Sequence, residues 1–115
     1  MNNEKKISPN VIRQLSGRSA KAQVCFFHAF LMTDRIGVLD LNNHPELKES
    51  KDFLSLFPNQ IKSYKNFIIF KNYIHWNYRQ LRKHNSHSLA WKDLEKLKGF
   101  YYDDEKNEIM FPNGK

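Results

Sequence analysis

Apolar positions change their rhythm repeatedly along this chain, and each change marks the start of a different kind of element. Ser8-Pro9 supplies a capping hydroxyl followed by proline at a first helical position, with Val11, Ile12 and Leu15 on one face and Gly17 placed to end the helix. Ser19 can cap a second helix running to about Arg35, in which Ala20, Val24, Phe27 and Leu31 form a stripe widened by Phe30. That stripe is expected to face the core. Gly37 to Leu41 alternates and predicts a short strand, after which Asn42, Asn43 and Pro45 mark a turn. Glu46 to Phe57 predicts a helix, or two short ones restarting near Ser50, that buries Leu47, Phe53, Leu54 and Phe57 before Pro58 stops it.

The middle of the chain reads differently. Gln60 to Tyr64 and the run Phe67-Ile68-Ile69-Phe70 predict two strands joined at Lys65-Asn66, with Asn66 tolerating a left-handed turn conformation. Lys71 to Tyr78 follows as a short helix or turn. Ser86 or Ser88 is placed to cap a last helix that turns Leu89, Leu94 and Leu97 inward, with Trp91 nearby and Gly99 ending it. Phe100 to Tyr102 and Glu108 to Phe111 flank the polar loop 103–107 and predict a second hairpin. The 115 residues therefore make one α+β domain, of helices with a small antiparallel sheet, and residues 1–7 are expected to be flexible. Helix, helix, strand, helix, hairpin is the order of a winged-helix domain, whose hairpin forms the wing.

Composition narrows the class. Sixteen aromatic residues and a 40% hydrophobic fraction support a folded chain. No apolar run approaches the roughly 18 residues of a membrane span, and the N-terminus lacks the apolar core of a secretory signal. The lone Cys25 excludes an intrachain disulfide. These features together predict a soluble protein of the cytoplasm.

The net charge of +7 is unevenly spread. Residues 1–59 carry a net of +2, residues 60–100 a net of +7 and residues 101–115 a net of −2. Such a concentration attracts phosphate backbones or acidic protein surfaces. Lys62, Lys65, Lys71, Arg79, Arg82 and Lys83 are the candidates for tracking a backbone, with His75 among them and Lys92 and Lys96 extending the patch. Tyr73, Trp76 and Tyr78 could stack on unpaired bases, although Trp76 is expected to pack inward.

Other chemistry is weakly supported. Cys25 and His28, with His84 and His87, have the spacing of a zinc set. However, a cysteine in an apolar helix is more simply a small hydrophobe. Asp103-Asp104-Glu105 reads as a charged hairpin loop, and the four glycines form no phosphate-cradling loop. No catalytic residue, metal or cofactor is expected.

Two stretches resemble a known family. Ala22 to Leu41 is similar to the opening helix and G-x-L-x-L strand of phage replisome-organiser and replication-initiator N-terminal domains. Phe67 to Tyr78, F-I-I-F-K-N-Y-I-H-W-N-Y, resembles the strand and turn that follow there, and Ser86-His87-Ser88-Leu89 leads into the last helix in a similar way. The resemblance covers about residues 22–97. It implies a winged-helix fold and DNA binding in phage replication, and phage-encoded proteins act in the host cytoplasm. Two features depart from it: the family's glycine after N-Y is Arg79 here, and no second, helicase-loader-recruiting region follows Lys115. The alternative expectation is a stand-alone inhibitor of a host defence nucleoprotein, of the anti-CRISPR type, acting on an RNA-guided nuclease or its guide RNA.

Overall fold

The run Phe67–Phe70 forms strand β3, the centre of a three-stranded antiparallel sheet with β1 (Val38–Asp40) on one side and β2 (Ile61–Tyr64) on the other. Leu39 pairs with Ile68, and Ile61 pairs with Phe70. The computed structural model describes residues 5–48, 57–82 and 85–112. Successive strand residues point to opposite faces, and both faces of this sheet are covered. Leu39, Ile61, Ile68 and Phe70 belong to one core cluster, and Val38 and Ile69 to another. An uninterrupted apolar run is what a strand buried on both sides requires.

Helices α1 (Pro9–Leu15), α2 (Ala20–Met32) and α3 (Pro45–Lys48) supply the first layer. Ser8 and Ser19 accept backbone N–H groups of Asn10 and Ala22, as capping hydroxyls should. Phe26 is the hub, with its ring centroid 4.9 Å from that of Phe57 and 5.2 Å from that of Phe70. The second layer is α5 (Ser88–Glu95) and the hairpin of β4 (Tyr101–Asp103) and β5 (Glu108–Met110). There Tyr64 stacks on Phe111 at 5.2 Å, and Phe67 meets Phe100 at 5.0 Å. Helix α4 (Tyr73–Tyr78) straddles the layers, placing Tyr73 in the first cluster and Ile74 in the second. It packs on bare backbone: Gly37, at φ 80°, leaves room that a Cβ would fill 2.5 Å from Tyr73 Cβ.

Among the described residues the domain is α+β, with five α-helices and a small antiparallel sheet, as the changes of rhythm predict. Several details differ from expectation. Helix α2 turns Ala22, Cys25, Phe26, Ala29 and Phe30 into the core, whereas Val24 and Leu31 of the expected stripe are 65% and 59% exposed. Both faces of this helix are apolar, so periodicity alone does not choose between them. The buried face unites two phenylalanines with two alanines that let the sheet approach closely. Ile12 and Leu89 are also exposed, and it is Ala90 and Asp93 that turn inward with Leu94.

The last helix starts behind a 3-10 turn (Asn85–His87), and its N-cap is His87 without a side-chain capping bond, rather than either serine. In the β2–β3 turn the left-handed residue is Lys65, at φ 54°, not Asn66. Phe53, Leu54 and the restart near Ser50 lie outside the described residues. The segment expected to be flexible is held from Lys5 onward. Lys5 Nζ donates to Thr33 O, Thr33 Oγ1, Asp34 O and Tyr73 OH at 2.8, 2.9, 3.2 and 3.1 Å. Among the described residues no helix is long and apolar enough to cross a membrane.

Candidate nucleic-acid interface

Helix α4 ends at Tyr78 because Arg79 leaves the helical region, at φ 63° and ψ −55°. This is the γ-turn region of the backbone, which a residue with a Cβ occupies at a cost of about 1–3 kcal/mol. The turn throws Arg79, Gln80 and Arg82 outward while Leu81 is buried between them.

Four side chains from the second layer hold this loop by its backbone. Asn107 Nδ2 donates to Arg79 O at 2.6 Å, and Leu81 N donates to the Tyr102 hydroxyl at 3.2 Å. Arg82 N donates to His87 Nδ1 at 2.9 Å, and Trp91 Nε1 donates to Arg82 O at 2.8 Å. Tyr102 in turn donates to Asn107 Oδ1 at 2.5 Å, so two of the four are themselves joined. The loop is exposed except at Leu81, and its backbone is hydrogen-bonded to side chains at Arg79, Leu81 and Arg82. Pre-ordering of this kind lowers the entropy cost of binding.

The result is a cleft of about 740 Å³ lined by His75, Trp76, Tyr78, Arg79, Gln80 and Arg82. His75, Arg79 and Arg82 are exposed, and Trp76 and Tyr78 are half-buried. Trp76 meets Phe30 edge-on at 6.2 Å, which seats its inner edge in the core. The Tyr78 hydroxyl donates to Arg35 O at 2.6 Å, and burial raises its pKa, so it stays a protonated donor. On the far side of α4, Asn77 accepts from Lys6 N at 2.7 Å and donates to Lys6 O at 3.0 Å, tying the N-terminal segment behind the cleft.

The structure thus gathers His75, Tyr78, Arg79 and Arg82 and disperses the other candidates. Tyr73 is a correction: it is 3% exposed and bound to Lys5, with its hydroxyl pKa raised by burial, and it has no face left for a base. Lys62 is half-buried and paired with Glu108 at 3.1 Å. Lys65 lies at the hairpin tip with its ammonium 5.3 Å over the Tyr64 ring, and Lys71 donates to Pro58 O at 2.8 Å. Lys92 is exposed on α5 but does not line the cleft. Lys96 lines a separate hollow together with Asp34, Asp40 and Asp93. Lys83 and His84 lie outside the described residues.

Cys25 is buried on the core face of α2, while the half-buried His28 sits 3.7 Å from Glu46, so the two do not converge. Among the described residues no group of three or more His, Cys, Asp or Glu could hold a metal ion. Sequence reasoning passed over Gln80 as a lining residue, and Asn107, Tyr102, His87 and Trp91 as the groups that hold the loop. No protein-family model matches the chain, and neither curated proteins nor solved structures provide a match.

Proposed function

We propose that this protein is a small, non-enzymatic nucleic-acid-binding module of the cytoplasm, and that the cleft at the end of α4 is its binding surface. One observation carries the reading: two arginines are presented on a pinned loop beside a histidine and two half-buried aromatic rings. Guanidinium groups bind phosphate oxygens in a bidentate fork, and aromatic faces accept bases. The strained backbone at Arg79 supports it further. A glycine would sit there without cost, so an arginine at this position lowers stability. Kinship with phage replication-initiator domains is part of the proposal. It is supported by the residue pattern of 22–97 and by a helix–strand–helix–hairpin order whose sheet runs β1-β3-β2.

The test is a fluorescence-anisotropy titration with labelled nucleic acid over a range of salt. Two arginines on phosphates predict a log-affinity slope against log salt of about −1.4 on a single strand and about −1.8 on a duplex. Arg82→Gln should weaken binding roughly tenfold, the worth of one charge-assisted contact. Absence of binding at low salt, or binding indifferent to salt, would overturn the reading.

A further inference from the structure

Resting on that reading, we infer that the cleft takes an unpaired nucleotide, so that the ligand is single-stranded nucleic acid rather than a duplex. The base lies against Trp76 and Tyr78, and the adjoining phosphates meet Arg79 and Arg82.

Three observations carry this. The first is shape: the cations surround a concavity of about 740 Å³. A concavity flanked by two rings can receive a single base, whereas the major groove of a duplex admits a protruding helix or two-stranded ribbon. The second is the lining. Trp76 and Tyr78 keep part of their ring surface in the cleft while their other edges are anchored to Phe30 and to Arg35 O. Rings held this way lose little further freedom when a base stacks on them, and stacking needs a base whose face is not already covered by a neighbour.

The third is where positive charge is missing. Helix α3, which stands in the chain where a winged helix has its groove-reading helix, carries one glutamate and one lysine. The β2–β3 hairpin offers a poor basic ribbon, since Lys62 is paired with Glu108 and Lys71 is turned back onto Pro58 O, which leaves the exposed Lys65 at its tip. On α5 the exposed Lys92 is followed by Glu95, while Asp93 is buried and paired with Arg35 at 3.4 Å. The described elements that could enter a duplex groove thus present scattered lysines, whereas Arg79 and Arg82 border one cleft together.

The experiment compares short labelled single strands of mixed sequence, about 10 nucleotides of DNA or of RNA, with the same DNA annealed to its complement, at one low salt concentration. Either single strand should bind roughly tenfold more tightly than the duplex, with the DNA and RNA arms showing which backbone is preferred. Binding should quench tryptophan fluorescence, and Trp76→Phe should remove most of that quenching while the fold is retained. Arg79→Gly gives a second variant that keeps the backbone relaxed and should lower single-strand affinity several-fold. Duplex binding equal to or tighter than single-strand binding overturns this inference and leaves the proposed function standing. Failure of all three probes to bind overturns the proposed function itself.

Discussion

Asn107 donates its side-chain amide to the carbonyl oxygen of Arg79 at 2.6 Å, across 28 positions of sequence. The turn of the terminal hairpin thereby grips the one loop in which arginine occupies γ-turn backbone. Asn107 is itself at φ 55°, a conformation that asparagine tolerates better than most residues, so the turn can aim its amide at the loop. Replacing Asn107 by glycine keeps that conformation and removes the grip. Nucleic-acid affinity should fall several-fold while the melting temperature drops by only a few degrees, as for a loss of about 1 kcal/mol. Parallel titrations and thermal melts check it.

Arg79→Gly should separate stability from binding. Glycine relieves the backbone at φ 63°, so the unfolding free energy in urea should rise by about 1 kcal/mol. Affinity should move the other way, because one guanidinium has left the cleft. A variant that is less stable than the parent would show that the arginine side chain holds the fold rather than a ligand.

Gly37→Ala should be among the most damaging single changes in the chain. The added Cβ would lie 2.5 Å from both Cβ and Cγ of Tyr73, at a φ of 80° that an alanine does not favour. Strain and overpacking together cost roughly 4 kcal/mol, a large part of what holds a domain of this size. Circular dichroism melts should show a much lowered transition or none.

Asp34 should give stability a distinctive pH dependence. Its carboxylate accepts from Ile36 N and Val38 N at 2.9 and 3.0 Å, yet burial outweighs these bonds and pushes its pKa up to about 6. The folded state therefore holds a proton that the unfolded chain releases near its ordinary value of 3.8. This contribution is fully present below that value and is lost as pH rises through about 6. Asp34→Asn keeps the acceptor without the charge. It should stabilise the protein at pH 7 by about 2 kcal/mol and gain nothing in strong acid. Urea unfolding of both proteins across this range measures the difference.

Lys62 and Arg82 test which cations matter. Lys62→Gln removes a charge already neutralised by Glu108 and should leave affinity within about twofold, since a paired, half-buried cation releases few counterions. Arg82→Gln, from the open cleft, should cost about tenfold. Equal losses at both sites would return the interface to the hairpin.

Much of this fold can be read from residue order, and the exceptions have physical causes. Strand β3 is legible because burial on both sides demands four consecutive apolar residues. Helix α2 is legible as a helix but not in its orientation, because its outer face carries Val24 and Leu31 where polar residues would have marked it. Tyr73, Trp76 and Tyr78 share one basic, aromatic stretch, and nothing local distinguishes Tyr73, which Lys5 and Gly37 hold in the interior. The grip on the arginine loop was invisible for another reason. Trp91 reaches back 9 positions, Tyr102 reaches back 21 and Asn107 reaches back 28, and no spacing rule spans such distances.

That reach has a consequence for the life of the chain. A nascent polypeptide that has emerged only as far as Arg82 already carries both arginines and both rings, but none of the four side chains that hold the loop in shape. The cleft is shaped only once the hairpin of β4 and β5 has emerged, so a shorter nascent fragment exposes the charge without the cleft. Only a chain extended past Asn107 carries all four of the side chains that give the loop its shape.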